Sequence, residues 1–128
     1  MNSADSVQWV QLKGIGPYLS SKILKYRKRL GGFIYKKQLL ESDIITDSLY
    51  HTLEPLLTLN NLELSKINLN TADYRTFINH PYFNSETIQA ILKYRKQHGP
   101  FADPTHIRRI KSLKEEIGKK ILPYLTVN

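Results

Sequence analysis

A glycine pair in the stretch LKGIGPY is the first candidate for binding chemistry. Gly14 and Gly16 stand just before Pro17, and a turn between two helices needs backbone angles that glycine adopts at low cost. Glycines also leave their amide N–H groups unshielded, and Pro17 suits the start of a following helix. Such amides, with those at the helix start, form a concave site for an anion such as a phosphate oxygen.

The elements that position this turn occur twice in the chain. The run ILKYRK occupies residues 23–28 and again residues 91–96, an offset of 68 positions. The same offset relates NSAD to NTAD, Gly31 to Gly99 and Phe33 to Phe101. Chance does not keep one register over that length, so the chain contains a duplicated unit.

The duplication predicts two tandem domains, residues 1–58 and 67–128, joined by a linker at 59–66. The second copy is preceded by Ile-Asn-Leu at 67–69, and these positions would fall before residue 1 in the first copy. We therefore expect the first domain to be an N-terminally truncated repeat and the chain to be a fragment of a longer protein.

Both copies are expected to be helical. Apolar residues at 19, 23, 26 and 30 follow the i, i+4, i+7, i+11 spacing of a buried helical face. Further short helices are expected at 37–40, 47–57, 104–110 and 114–124. β-Strand signals are weak, so the predicted fold class is all-α, with four to five short helices in each domain.

The first helix of each copy has its own predicted cap and core. Ser3 and Thr71 are suitable N-cap residues, each followed two positions later by an aspartate. The side chains that these helices are expected to bury are Trp9, Leu12, Phe77 and Ile78.

Positive charge is concentrated in the second half of the chain. The net charge is +8, which favours acidic partners such as nucleic acid or anionic lipid. Residues 1–64 hold eight Lys and Arg against six Asp and Glu, a net +2, whereas residues 65–128 hold eleven against five, a net +6. The dense basic stretch at 108–120 has two open interpretations, a set of phosphate contacts and a solvated helix face.

Two further groups of side chains are assigned to the fold. Most cations of the ILKYRK helices lie opposite the apolar stripe, but Arg27 and Arg95 adjoin core tyrosines and are predicted to cap backbone carbonyls at helix C-termini. The repeated aromatic residues are predicted to pack in the core rather than stack on bases. Tyr82 and Phe83 are the exception, because we expect them to be exposed and to offer a protein contact.

The residue types exclude several kinds of chemistry. The chain has no cysteine, and its four histidines lack metal-ligand spacing, so we predict no disulfide, metal or cofactor. No apolar run is long enough to span a bilayer. The acidic cluster at 41–47 has no base or nucleophile around it, so we expect no catalytic site and no small-molecule substrate.

The order of these motifs resembles a known family. The motifs NSAD, LKGIGP, ILKYR and Gly-Phe resemble the helix-hairpin-helix domains of the DNA-uptake competence protein ComEA and its relatives. The resemblance covers nearly the whole chain, since residues 67–127 repeat it with NLNTA and a closing PYL. It implies two helix-hairpin-helix motifs in each unit, packed as a pseudo-twofold pair, and non-catalytic binding of double-stranded DNA without sequence preference.

The resemblance also implies a set of binding residues. Residues 12–17 become a phosphate-binding hairpin, and the basic stretch of the second unit extends the contact. The predicted phosphate-binding residues are Lys13, Gly14, Ile15, Gly16, Lys22, Arg108, Arg109, Lys111 and Lys114.

Three of the four hairpins depart from the family pattern. At the first hairpin of the second unit, Tyr82, Phe83 and Asn84 replace the glycine turn, and the hairpins near 42–47 and 111–115 have no glycine. Leu19 stands where the family usually has a lysine. Asn84 is expected to hold the turn in a left-handed conformation, while the Tyr82 ring lies where bare backbone should meet phosphate.

These departures support an alternative function. The protein could be a structural or protein-interaction module that keeps the fold with degenerate phosphate sites and self-associates through Tyr82 and Phe83. Localisation also stays open: ComEA-like proteins act outside the cytoplasmic membrane behind an N-terminal anchor, whereas repair and replication proteins use the same motif inside the cell.

Overall fold

The structure, a computed structural model, describes residues 1–59 and 63–127 of the 128-residue chain. It is mostly helical, which confirms the all-α prediction, and it divides into a first unit, Met1–Leu64, and a second unit, Ser65–Asn128. The predicted linker at 59–66 includes positions 60–62, which lie outside the described residues. The boundaries 1–58 and 67–128 stay a prediction.

The helices of both units lie where the sequence predicts them. The first unit contains α1 (Ser6–Val10), α2 (Pro17–Leu30), α3 (Gln38–Glu41), α4 (Asp47–Leu53) and the 3₁₀-helix Glu54–Leu56. The second unit contains β1 (Ile67–Asn68), α5 (Tyr74–Asn79), α6 (Ser85–His98), the 3₁₀-helix Pro104–Arg109, α7 (Glu115–Ile121), the 3₁₀-helix Leu122–Tyr124 and β2 (Leu125–Thr126). The two short strands pair in parallel, with Ile67 opposite Leu125.

Aspartates cap the first helix of each unit, so the prediction of Ser3 and Thr71 was wrong. Asp5 Oδ1 accepts a hydrogen bond from the Gln8 N–H at 2.9 Å, and Gln8 Oε1 accepts one from the Asp5 N–H at 2.8 Å. Asp73 accepts from the N–H of the third residue of α5 at 2.9 Å. A carboxylate accepts such bonds more strongly than a hydroxyl, so each helix begins directly after its aspartate.

Large apolar side chains fill the interior of each unit. Those with no more than 2% exposure include Trp9, Ile23, Leu30, Phe33, Leu39, Leu53, Phe77, Ile88, Ile91, Ile107 and Ile121. Leu12 is half-buried, but Ile78 is 38% exposed, contrary to the prediction. Phe77 takes the buried position of α5, and the next residue of a helix points about 100° away from it.

An asparagine fastens the start of each unit to the loop after its long helix. Asn2 Nδ2 donates to the Phe33 carbonyl at 2.9 Å, and Asn2 Oδ1 accepts from the Phe33 N–H at 2.6 Å. Asn70 makes the same pair of bonds with Phe101, at 2.9 and 2.7 Å. Because each pair satisfies one backbone N–H and one backbone carbonyl, the chain entering α1 or α5 is held in a fixed register.

An arginine on each long helix completes this clamp. Arg27 Nη1 donates to the carbonyls of Met1 and Ala4 at 3.0 and 2.6 Å. Arg95 makes both bonds at the equivalent carbonyls of the second unit, at 3.0 and 2.8 Å. The predicted intramolecular role of these arginines is confirmed, although the carbonyls belong to the segment before the first helix rather than to a helix C-terminus.

The clamp can be tested in the first unit alone, because the chain's only tryptophan, Trp9, is buried there. We expect Arg27→Ala to lower the free energy of unfolding by about 2 kcal/mol, since two carbonyls lose a charged donor. The measurement is urea unfolding followed by Trp9 fluorescence. Lys28→Ala removes an exposed cation from the same helix and should change the value by less than about 0.5 kcal/mol. Equal losses in both variants would contradict the clamp.

Candidate nucleic-acid interface

Gly14 holds the turn between α1 and α2 in a conformation that suits glycine. Its φ is +91°, in the left-handed region, and a Cβ atom added there would lie 2.6 Å from Leu49 Cδ1. The next residue, Ile15, donates its N–H to the Leu12 carbonyl at 3.1 Å and buries its side chain. Among the predicted site residues, Ile15 therefore has a packing role, and only its backbone faces the turn.

Gly16 leaves the start of α2 open. It is the N-cap residue with extended backbone (φ −92°), and no heavy atom lies within 4 Å of an added Cβ. No side chain caps the helix, and Pro17 at the first helical position has no N–H, so the first amides belong to Tyr18 and Leu19. Within the described residues, no hydrogen bond engages the N–H groups of Gly14 or Gly16. The turn thus presents backbone donors at the positive end of a helix macrodipole.

Two lysines add charge beside these donors. Lys13 is exposed in the turn itself. Lys22 lies one helical turn after Tyr18, and its Nζ is 4.8 Å from the centre of the Tyr18 ring. The ring is 69% exposed and its face attracts the ammonium group. This contact favours a Lys22 position near the open first turn of α2.

The matching hairpin of the second unit is closed by its own side chains. His80 Nδ1 accepts from the Tyr82 N–H at 3.1 Å, and the His80 carbonyl accepts from the Phe83 N–H at 3.2 Å. Asn84 Oδ1 accepts from the Thr87 N–H at 2.8 Å, so the start of α6 is capped. The prediction of a left-handed Asn84 was wrong: its φ is −112°, and it is the N-cap rather than the turn residue.

The expected exposure of Tyr82 and Phe83 was also wrong. Phe83 is only 5% exposed, because it occupies the core position that Ile15 fills in the first unit. Tyr82 is half-buried, with its ring 5.9 Å from that of Tyr124 and Lys120 Nζ 4.8 Å above it. These internal contacts remove the basis for self-association through an exposed aromatic pair.

The second hairpins also differ between the units, but here the first unit has the capped helix and the second unit the uncapped one. In the first unit, Asp43 takes a positive φ of 58°, and Thr46 caps α4 by accepting from the Leu49 N–H at 3.1 Å. In the second unit, Lys114 is the N-cap of α7 and no side chain caps that helix. Helices α4 and α6 are therefore capped by their own sequence, whereas α2 and α7 are not. The residue types at the four N-cap positions indicate which helix starts are capped. The number of glycines in each hairpin does not.

The structure distributes the predicted basic residues over two surfaces of the second unit. Arg108 and Lys114 line a groove beside α7 that also includes Glu115. Arg109 and Lys111 line a different groove, on the side of α6. Of the cations in this stretch, Lys119 lies 3.7 Å from Glu115, an exposed pair of the kind that contributes little to stability. All four predicted contact residues are exposed.

Two other features are absent from residues 1–59 and 63–127. No group of three His, Asp or Glu side chains there is arranged to hold a metal ion. No helix in those ranges combines the length and hydropathy needed to cross a membrane.

Comparison with known proteins identifies the motif. A family model described as the helix-hairpin-helix motif matches the chain twice, over residues 1–58 and 63–126. The two matches correspond to the two copies of the repeat, which confirms tandem helix-hairpin-helix domains. No curated protein and no solved structure gives a significant match.

The two glycines of the first hairpin should respond differently to substitution. We expect Gly14→Ala to lower the free energy of unfolding of the first unit by about 2 kcal/mol, because its φ is positive and Leu49 fills the space. Gly16→Asn should leave it unchanged or raise it by up to about 0.5 kcal/mol, since Asn is a good N-cap in extended backbone. Urea unfolding followed by Trp9 fluorescence measures both. A loss at position 16 as large as that at position 14 would contradict the described turn.

Proposed function

This chain belongs to the helix-hairpin-helix family, and we propose that it binds duplex DNA through backbone phosphates, without sequence preference and without catalysis. Motifs of this family are generally nucleic-acid-binding, and the fold is typically a non-catalytic one. The observation that carries the proposal is the open start of α2 at Gly16. No side chain caps the first amides of α2, whereas Asn84 caps the equivalent helix of the second unit.

The chemistry of this contact follows from the donors present. A phosphate oxygen would accept hydrogen bonds from the amides at Gly14 and Gly16 and at the first turn of α2, with Lys13 and Lys22 beside it. Every donor would be directed at the DNA backbone, which is the same for all sequences. Cations at Arg108, Arg109, Lys111 and Lys114 would add contacts from the second unit.

We also propose a ComEA-like role in handling DNA during competence and uptake. Its support is the sequence resemblance, which extends over both units and includes the NLNTA and ILKYR runs as well as the hairpin. A protein that takes up DNA of any sequence needs binding of this backbone-directed kind.

The test is fluorescence anisotropy of a labelled duplex titrated with the protein at about 50 and about 200 mM salt. We expect affinity to fall on the order of tenfold or more between these concentrations, through counterion release, and to be equal for a duplex of shuffled sequence. Gly16→Asn should lower the affinity about tenfold, because the Asn side chain would take the Leu19 N–H as Asn84 takes that of Thr87.

The matched control is Thr71→Asn, an exposed position of the second unit outside any hairpin. It should leave DNA affinity unchanged. If Gly16→Asn binds as tightly as this control while remaining folded, the phosphate site is not at the first hairpin. If the wild-type protein binds no duplex even at the lower salt concentration, the proposed function is wrong.

A second candidate function is protein interaction, and one surface favours it. Val7 and Val10 of α1 are 65% and 39% exposed. With Pro17 and Leu24 they line a mainly apolar groove of about 540 Å³ in the first unit. Exposed apolar surface of this kind is a feature of protein contact sites.

For this candidate we expect a concentration-dependent dimer in sedimentation velocity runs, because covering the groove removes apolar surface from water. Val7→Ser with Val10→Ser should restore the monomer, and Lys28→Ser with Lys96→Ser is the control. A wild-type protein that stays monomeric over about a hundredfold range of concentration would exclude self-association through this groove.

A further inference from the structure

A second groove, in the second unit, is lined by cations. It has a volume of about 510 Å³ and lies between the C-terminal half of α6 and residues 109–112, at and after the end of the 3₁₀-helix Pro104–Arg109. Lys93, Arg109 and Lys111 line it, together with Tyr94 and His98. We call this the cationic groove. Within the described residues, none of its three Lys and Arg side chains is paired with a carboxylate.

The wall of the cationic groove is built from stacked rings. The Tyr94 ring stacks on that of His98, with centroids 4.2 Å apart, and on that of Phe101, with centroids 5.4 Å apart. Phe101 is buried, as is Ile110 on the other side of the groove. The stacked rings therefore join the α6 side of the groove to the buried Phe101.

The first unit has carboxylates where the cationic groove has cations. The repeat offset places Glu41 at the position of Arg109 and Asp43 at that of Lys111. Burial raises the pKa of the Tyr26 hydroxyl to about 12, and nearby Glu41 and Asp43 add to the effect. Tyr26 is the equivalent of Tyr94, so both carboxylates lie close to the ring that matches the groove wall.

This difference changes the charge that an incoming group meets. The first-unit positions equivalent to the groove lining hold three cations, at Lys22, Lys25 and Arg29, and two carboxylates, whereas the second-unit positions hold three cations and no carboxylate. A phosphodiester that approached the first unit here would meet repulsion from Glu41 and Asp43. In the second unit it would meet Arg109, whose planar guanidinium suits two phosphate oxygens at once.

We propose that the cationic groove of the second unit binds a phosphodiester of the DNA backbone, a contact that the first unit does not make at the equivalent place. The proposal rests on the proposed function and adds Lys93 and the groove wall to the residues that meet DNA. The first unit then contributes the amides of its first hairpin, with Lys13 and Lys22 beside them, and the second contributes the cations of the groove. The division agrees with net charges of +2 and +6 in the two halves of the chain.

The test compares two charge-matched double variants by anisotropy of a labelled duplex. Arg109→Gln with Lys111→Gln removes two groove cations, and Lys66→Gln with Arg75→Gln removes two exposed cations that do not line the groove. The groove variant should bind about tenfold more weakly at low salt, and the slope of log affinity against log salt should fall by about two. The control variant should bind within about threefold of the wild type, with an unchanged slope.

A charge-reversed variant controls for loss of affinity caused by misfolding. Arg109→Glu with Lys111→Asp installs residues that the first unit already carries at these positions, so the fold should tolerate them, and circular dichroism checks the helix content. Its loss of affinity should exceed that of the glutamine variant. Equal weakening in the groove and control variants would show that net charge alone matters and would overturn the proposal.

The outcomes also separate this proposal from the proposed function. If wild-type protein binds duplex DNA and Gly16→Asn weakens it, but the groove variants match the control, the phosphate site at the first hairpin stands and the groove proposal is wrong, together with the contacts assigned to Arg109 and Lys111. If wild-type protein binds no duplex at low salt, both are wrong. Groove-dependent binding to vesicles of equal parts phosphatidylglycerol and phosphatidylcholine, without any to DNA, would assign the groove to lipid phosphates and overturn the proposal.

Discussion

The clamp made by an asparagine and an arginine is the constraint on which each unit depends. In the first unit, Asn2 ties the chain start to Phe33, and Arg27 holds the carbonyls of Met1 and Ala4. Arg27 lies on the long helix α2 and Phe33 just after it, so the clamp closes a loop that contains α1 and the first hairpin. Because four hydrogen bonds fix this loop, the open amides before α2 keep their place without any contribution from the ligand.

Within that fixed frame, one residue at each helix start decides whether the backbone donors are available. Thr46 and Asn84 turn their side chains back onto the third amide of α4 and α6. A cap of this kind contributes about 1 kcal/mol to stability, and it fills the place where an anion would otherwise bind. Gly16 lacks such a side chain, so the fold gives up a small amount of stability and keeps the donors exposed. Stability and anion binding compete for the same N–H groups.

The sequence predicted most of the fold, since residue types alone indicate the repeat, the apolar periodicity and the positions of the short helices. It was less reliable where two neighbouring residues are both suitable for one position. Asp5 rather than Ser3 caps α1, and Phe77 rather than Ile78 faces the core. The burial of Phe83 was missed because the repeat aligns it with Ile15, and the sequence pattern of the hairpin did not indicate that Ile15 is itself buried. The cationic groove was also not predicted, since it joins α6 to residues that begin eleven positions after the helix ends.

Duplication of a clamp-based fold leaves surface residues free to diverge, and the charges at equivalent positions show the result. Asn2 and Asn70, and Arg27 and Arg95, make the same hydrogen bonds with nearly the same lengths, because a change in either would unfasten a whole unit. Arg109 and Lys111 lie on the surface and are not part of the clamp, and the first unit has carboxylates at these positions instead. If both units bound phosphate in the same way, the carboxylates would oppose one of the two contacts. If the first unit binds phosphate at its first hairpin and the second unit at the cationic groove, that conflict does not arise.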